Sequence, residues 1–282
     1  MKNCTSIFLV LFTIVSCKNN ENVKIIENNK NSSEIKPNFL YDFQGDWVLM
    51  EYVNSIEKTL SPIKSAFKLV GVVAISVPEI NNNNTIEIGA SWNNHEGYSF
   101  RVFLQEGQEI NNLKTDLNDF ENESYYYDIG TETINNKTYL ILYHYNSSNK
   151  LLEKIKFVKV KVNKKDEDFS DAFQQIVNEK IFTGKYLLFD STNTPLKVTF
   201  KSNGIISGHP EFKNYYVFTD FLGGPEPKVD EICFNFETNK KINFVFRAKK
   251  DTIFLFNEVG DGLPGGIPLD FGELKYKLVK IN

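Results

Sequence analysis

Apolar and polar residues alternate along most of this chain. Leu196-Lys197-Val198-Thr199-Phe200 sets an apolar side chain at every second position, and the segments 154–161 and 274–280 alternate in much the same way. A period of two sends successive side chains to opposite faces of an extended strand, so each segment predicts a half-buried β-strand. In the C-terminal half about eight such strands are expected, near 185–190, 196–200, 205–209, 215–221, 231–238, 242–248, 252–257 and 273–281. Short polar connections separate them, among them Ser202-Asn203-Gly204, Asn239-Lys240-Lys241 and Lys249-Lys250-Asp251, and such turns suit hairpins. The N-terminal half repeats the plan, with an opening strand from Gly45 and further strands near 68–77, 85–92, 98–105, 124–129, 138–145 and 151–162.

Two stretches depart from alternation. Residues 55–67 set Leu60, Ile63 and Phe67 on one helical face and predict a short helix lying across a barrel end, although Pro62 falls inside the stretch. Between the halves, Phe169, Phe173, Ile176 and Val177 recur at i, i+4, i+7 and i+8, the spacing of an amphipathic helix. Asp168 can cap that helix and Asp171 suits the positive end of its dipole. A calcium site from Asp166, Glu167, Asp168 and Asp171 would need the residue order of a calcium loop, which is missing.

The halves also match each other. Phe43-Gln44-Gly45-Asp46-Trp47-Val48-Leu49 is echoed by Phe182-Thr183-Gly184-Lys185-Tyr186-Leu187-Leu188 at one constant offset, and both halves close on an alternating strand. The expected fold is therefore all-β: two consecutive antiparallel up-and-down β-barrels, over 39–163 and 181–282, joined by a short helix over 164–180. Closure into a barrel removes exposed sheet edges. A pair of β-sandwiches is the alternative architecture. Gly45-x-Trp47 at the opening of the first strand resembles the calycin group, the lipocalins and their relatives, and Gly184-x-Tyr186 is a weakened copy. The resemblance implies that Gly45, Trp47, Gly184 and Tyr186 close one end of each barrel, and that the open mouth takes a small apolar ligand. Two features depart from it: no arginine lies on either final strand to cover the Trp, and Thr219-Asp220-Phe221 falls too early for the second lipocalin motif. Envelope-stress and copper-resistance lipoproteins with a lipocalin-like barrel carry a Cys-x-x-Cys pair there, which this chain lacks.

The N-terminus changes the setting of all this. Met1-Lys2-Asn3 precedes an apolar run, Ile7 to Val15, too short at roughly 14 Å of helix to cross a hydrocarbon core of about 30 Å. That layout reads as a secretory signal over 1–16. It ends in Ile14-Val15-Ser16-Cys17, which resembles the lipobox of bacterial lipoproteins, with Ile14 in place of the commoner Leu. The resemblance implies cleavage before Cys17 and acylation of Cys17 by palmitate-type chains; more than one chain makes attachment lasting. Residues 17–38 are polar and rich in Asn, Lys, Glu and Ser, a composition that cannot repay its ordering entropy, so a flexible tether spanning about 25 Å is expected. No aspartate follows Cys17, which leans towards the outer membrane. Cys4 leaves with the signal, so Cys233 stands alone in the mature chain and no internal disulfide can brace it.

Charge and chemistry narrow the function. The formal charge is −4 and Arg101 and Arg247 are the arginines, against a nucleic-acid partner and against bidentate phosphate clamps. No Gly-x-Ser-x-Gly, His-Glu-x-x-His or phosphate-binding loop is present, so no catalytic residue, metal or cofactor is expected. His95, His144 and His209 lie on separate segments. The best candidate cluster is the hairpin tip from Ser91 to Gly97, where Trp92, His95 and Glu96 would line a barrel mouth and meet a ligand or partner. Two readings stand: a non-enzymatic lipoprotein binding a small apolar ligand in a barrel, or a filled-barrel scaffold docking an envelope protein. Twenty-four Phe supply enough bulk for the second.

Overall fold

The computed structural model describes residues 42–79, 85–109, 111–161, 170–192, 194–221, 228–262 and 266–281. The expected signal segment, Cys17, the expected tether, Phe169 and Asp168, the expected cap, lie outside them. Eight strands of the first half close into an antiparallel barrel in sequence order: β1 (Gly45–Leu49), β2 (Val72–Val77), β3 (Thr85–Trp92), β4 (Glu96–Glu106), β5 (Asn112–Asn118), β6 (Tyr126–Ile134), β7 (Lys137–Tyr145) and β8 (Leu151–Val160). Closure comes from β1 pairing with β8, with Trp47 opposite Lys159 and Leu49 opposite Phe157. Ladder partners share a face, so Trp47, Ile75, Ala90 and Tyr98 form one inward row across four strands. Ile88 with Phe100, Ile129 with Leu142, and Leu140 with Phe157 continue it. All of these but Tyr98 are buried.

The second half forms an eight-stranded antiparallel sheet from β9 (Gly184–Phe189), β10 (Leu196–Phe200), β11 (Ile206–Ser207), β12 (Tyr215–Val217), β13 (Asp230–Phe234), β14 (Ile242–Lys249), β15 (Thr252–Val259) and β16 (Asp270–Ile281). Its order is β11-β10-β9-β16-β15-β14-β13-β12, and it is open. The expectation of two closed barrels is therefore met in the first half alone. The physical reason lies in the edge strands: β11 has two residues, paired to β10, and β12 three, paired to β13, and between these two edges the isolated Ile205–Asn214 bridge stands in place of a ladder. The sheet's inward face is aromatic. Phe182 meets Phe246 edge-on at 5.1 Å, Phe200 meets Tyr215 at 5.1 Å, and Phe212 stacks on Phe234 at 4.5 Å. Such pairs add about 0.5–1.5 kcal/mol each beyond their burial.

The helices differ from expectation in their bounds. α1 runs over Met50–Thr59, straight out of β1, and buries Tyr52, Val53 and Ile56. It stops because Leu60 takes a left-handed conformation at φ 51°, and α2 (Pro62–Ser65) restarts with Pro62 in its first turn and Ser61 as its cap. Phe67, expected on the buried face, falls in the 3-10 turn that follows and is exposed. α3 (Ser170–Ile181) is the expected linker helix, and Phe173, Ile176 and Val177 are buried as its periodicity requires. β5 has no counterpart among the expected strands. All these elements belong to one compact unit.

Candidate functional site

The β3–β4 hairpin turns through Asn93 and Asn94, both left-handed at φ 52° and 58°, with His95 N–H donating to the Trp92 carbonyl at 3.0 Å. Asparagine tolerates that backbone, and Asn93, Asn94 and His95 make a three-residue turn between the ladder partners Trp92 and Glu96. The geometry separates the three residues proposed to act together. Trp92 and Glu96 are ladder partners on one face, whereas His95 leaves the barrel and sets its Nδ1 3.0 Å from Oδ2 of Asp220 in the second half. Asn94 reaches the same segment, donating to the Thr219 carbonyl at 2.9 Å. Glu96 is exposed.

The hairpin thus forms part of a seam. Across it the Ile63 N–H donates to Asp230 Oδ1 at 2.8 Å, and Tyr52 of α1 stacks on Phe173 of α3 at 5.0 Å. Burial raises the Asp230 carboxyl to about 6, although the Ile63 N–H, the Ser61 side chain and Lys64 pull the other way. A cleft of about 260 Å³ opens beside the hairpin, lined by Ser91, Asn94, His95, Phe173, Tyr216 and Asp220 among others. Ser, His and Asp meet there, yet a nucleophilic triad needs the hydroxyl bonded to the imidazole. Among the described residues no hydrogen bond joins Ser91 to His95.

The barrel end holding Trp92 is rimmed by the β5–β6 loop. Asp119 organises that loop: Oδ1 accepts from Glu121 N–H at 2.7 Å and from Asn122 N–H at 3.2 Å, while Oδ2 lies 3.0 Å from His144 Nε2. His144 stacks on Tyr127 with centroids 4.4 Å apart, and burial, then Asp119, push the Tyr127 hydroxyl above its ordinary range. Phe120, on the same loop, packs on Trp92 at 4.2 Å and meets Tyr98 edge-on at 5.9 Å. Asp119, Phe120 and Tyr127 were not singled out from sequence, and His144 was named there only as one of three scattered histidines. Their signal is faint, because Asp119 lies in the β5–β6 loop and His144 on β7, and they meet only when β5, β6 and β7 pair.

At the other end Trp47 is wholly buried, and its indole N–H donates to the Phe43 carbonyl at 3.0 Å. Lys159 on β8 lies over its ring at 5.1 Å, in the place where the resemblance calls for an arginine. Tyr186 is buried in the second sheet and Lys280 is its ladder partner. Among the described residues no helix is long and apolar enough to cross a membrane, and no group of three His, Cys, Asp or Glu is placed to hold a metal ion. Comparison with family models, with curated proteins and with solved structures gives no match.

Proposed function

We propose that this chain is a lipid-anchored protein of the cell envelope that works by non-enzymatic binding, and that its partner is another envelope component met at the protein surface. The observation that carries this reading is the filled core. A drug-sized apolar ligand needs a cavity of roughly 300–1,000 Å³. Trp47, Ile88, Phe100, Ile129, Leu142 and Phe157 pack the interior of the barrel, and Phe200, Phe234, Phe244 and Phe246 pack the inner face of the second sheet. The lipocalin likeness then concerns architecture, and the second sheet is read as a loosened copy of the same barrel. Gly184, Tyr186 and Lys280 repeating Gly45, Trp47 and Lys159 support that copy, as does the Ile205–Asn214 bridge. The address rests on Ile14-Val15-Ser16-Cys17.

Two measurements test it. Solvent extraction of the native protein from its own cells, read by mass spectrometry, is expected to release no stoichiometric small molecule. A ligand released one-to-one would replace surface docking by ligand carriage. Metabolic labelling with a fatty acid is expected to mark the wild type and to fail with Cys17→Ser; label retained by that variant would remove the anchor.

A further inference from the structure

We propose that the Trp92 end of the barrel is a docking surface for a protein segment presenting a large apolar side chain flanked by lysine or arginine; the inference rests on the surface-docking reading above. Phe67, Val70 and Phe120 are large apolar side chains left 68%, 73% and 60% exposed. They come from two segments, residues 67–70 and the β5–β6 loop, that the fold ties together. Val70 precedes Gly71, whose N–H donates to Asn93 Oδ1 and whose carbonyl accepts from the Asn93 N–H, both at 2.8 Å. Trp92, next to Asn93, packs against Phe120. Single exposed apolar residues are ordinary on any surface, whereas a cluster with a polar rim marks an interaction site.

Phe120 is held outward and not merely left loose. Asp119 accepts from the two N–H groups that follow Phe120, Asp119 N–H donates to the Tyr125 carbonyl at 3.0 Å, and Tyr125 N–H donates to the Asn122 carbonyl at 2.8 Å. The loop therefore closes on itself and projects the ring between its ties. A preformed apolar anchor loses little conformational entropy on binding.

The rim decides the partner's charge. Glu96, Glu121, Glu123 and Glu153 are exposed there. Lys68, bound to Glu51 at 2.7 Å, already lies over the Phe67 ring at 5.3 Å, and Lys150 lies at the β7–β8 turn, so Phe120 is the aromatic face that the acidic rim leaves for a cation. Acidic groups around aromatic faces favour cationic side chains by steering and by cation–π attraction. The same rim disfavours an anionic lipid surface, and disfavours a second copy, which would bring acid against acid. Position agrees: the described chain enters at Asp42, beside Lys159 and Trp47, and β1 runs from there towards the Trp92 end. The patch thus sits at the barrel end opposite Asp42, where the described residues begin.

The test is a selection of displayed random peptides on the mature chain, with counter-selection on Val70→Ser/Phe120→Ser. Both positions are exposed, and unfolding curves of the variant check that the fold persists. The expected result is a consensus with one aromatic or large aliphatic residue beside lysine or arginine. The synthetic consensus peptide should bind about tenfold more weakly to the variant. It should also weaken with Glu121→Gln/Glu123→Gln and when salt rises from about 0.05 M to about 0.5 M. A consensus without basic residues, or one indifferent to the variant, overturns the proposal. So does a dimer in sedimentation that Phe120→Ser dissociates, or variant-sensitive binding to vesicles of phosphatidylcholine with phosphatidylglycerol. Failure here leaves solvent extraction untouched: a core ligand there defeats the surface reading itself, and its absence with failed selection defeats only this site.

Discussion

Lys159 lies over the ring of Trp47, its ammonium 5.1 Å from the centroid, and the two residues are ladder partners on the first and last strands of the barrel. Gly45 makes room for this. A Cβ at Gly45 would stand 3.0 Å from Lys159 Cε, and φ there is +104°. In the second sheet a Cβ at Gly184 would stand 2.7 Å from Cε of Lys280, at φ +150°. The Gly-x-aromatic pattern is therefore one half of a contact whose other half is a lysine on the closing strand.

Gly45→Ala is expected to destabilise the protein by about 1–3 kcal/mol, through left-handed strain and the crowded lysine stem. Lys159→Ala alone should cost about 0.5–1 kcal/mol of cation–π attraction. The double variant should lose less than the two single losses added, because trimming the lysine relieves the crowding. Urea unfolding of the four proteins measures this, and strict additivity would mean that the glycine serves the backbone alone.

Asp230 makes stability depend on pH. Its carboxyl is raised by burial from 3.8 to about 6, with Lys64 and the Ile63 N–H opposing, and Tyr52 of α1 and Glu231 of its own strand are the other titratable groups beside it. A folded acid with a raised value holds its proton more tightly than the unfolded chain does. Its contribution is thus most favourable below about pH 4 and is lost as pH rises through about 6, by about 2–3 kcal/mol. Asp230→Asn keeps an oxygen for the Ile63 N–H and removes the buried charge. The variant is expected to be the more stable protein at pH 7.5 and to show a flatter profile between pH 4 and 7; a less stable variant at pH 7.5 would mean that the ionised carboxylate holds the seam.

Cys233 is 1% exposed, and burial raises its thiol above the ordinary range. Thiolate is the reacting form, so a disulfide-exchange reagent should modify it only through unfolding, with a rate that tracks stability across urea concentrations. Fast modification in native buffer would show an opening of β13.

What the sequence made legible follows from period. The strands of the second half alternate cleanly and are flanked by polar turns, so β9 to β16 are found near their expected places, and Phe173, Ile176 and Val177 mark α3 for the same reason. β5 escaped because Asn112-Leu113-Lys114-Thr115-Asp116-Leu117-Asn118 carries two apolar side chains among Asn and Asp, which read as loop. The failure of closure in the second half depends on the lengths of β11 and β12, a tertiary quantity. At the hairpin tip, sequence proximity grouped Trp92, His95 and Glu96, but alternation and the turn send His95 away from the other two. Phe120 and Asp119 needed the barrel's closure to reach Trp92 and His144.

The same strand, β5, has interrupted ladders on both sides. β6 and β7 pair without a break from Tyr126–Tyr145 to Ile134–Lys137, whereas β4 and β5 are partners at Val102–Thr115 and Glu106–Leu113 with an irregularity between. Beside that gap a side chain substitutes for the ladder: Asp116 accepts from the Arg101 backbone N–H at 2.6 Å and from its Nε at 2.7 Å. Backbone amides with few ladder partners open at lower free energy than those in a continuous ladder. Hydrogen exchange is therefore expected to be faster in β5 than in β6 and β7. Asp116→Ala should speed exchange at Arg101 and its neighbours by about tenfold, the worth of one lost hydrogen bond to a charged acceptor near the surface. Asp116→Asn should fall between the two, since its amide oxygen still accepts from the Arg101 N–H while the ion pair is gone. Equal protection of β5 and β7 in the wild type would place the barrel's weakest ladder elsewhere, and would make the carboxylate a consequence of the local bend with no part in holding β4 to β5.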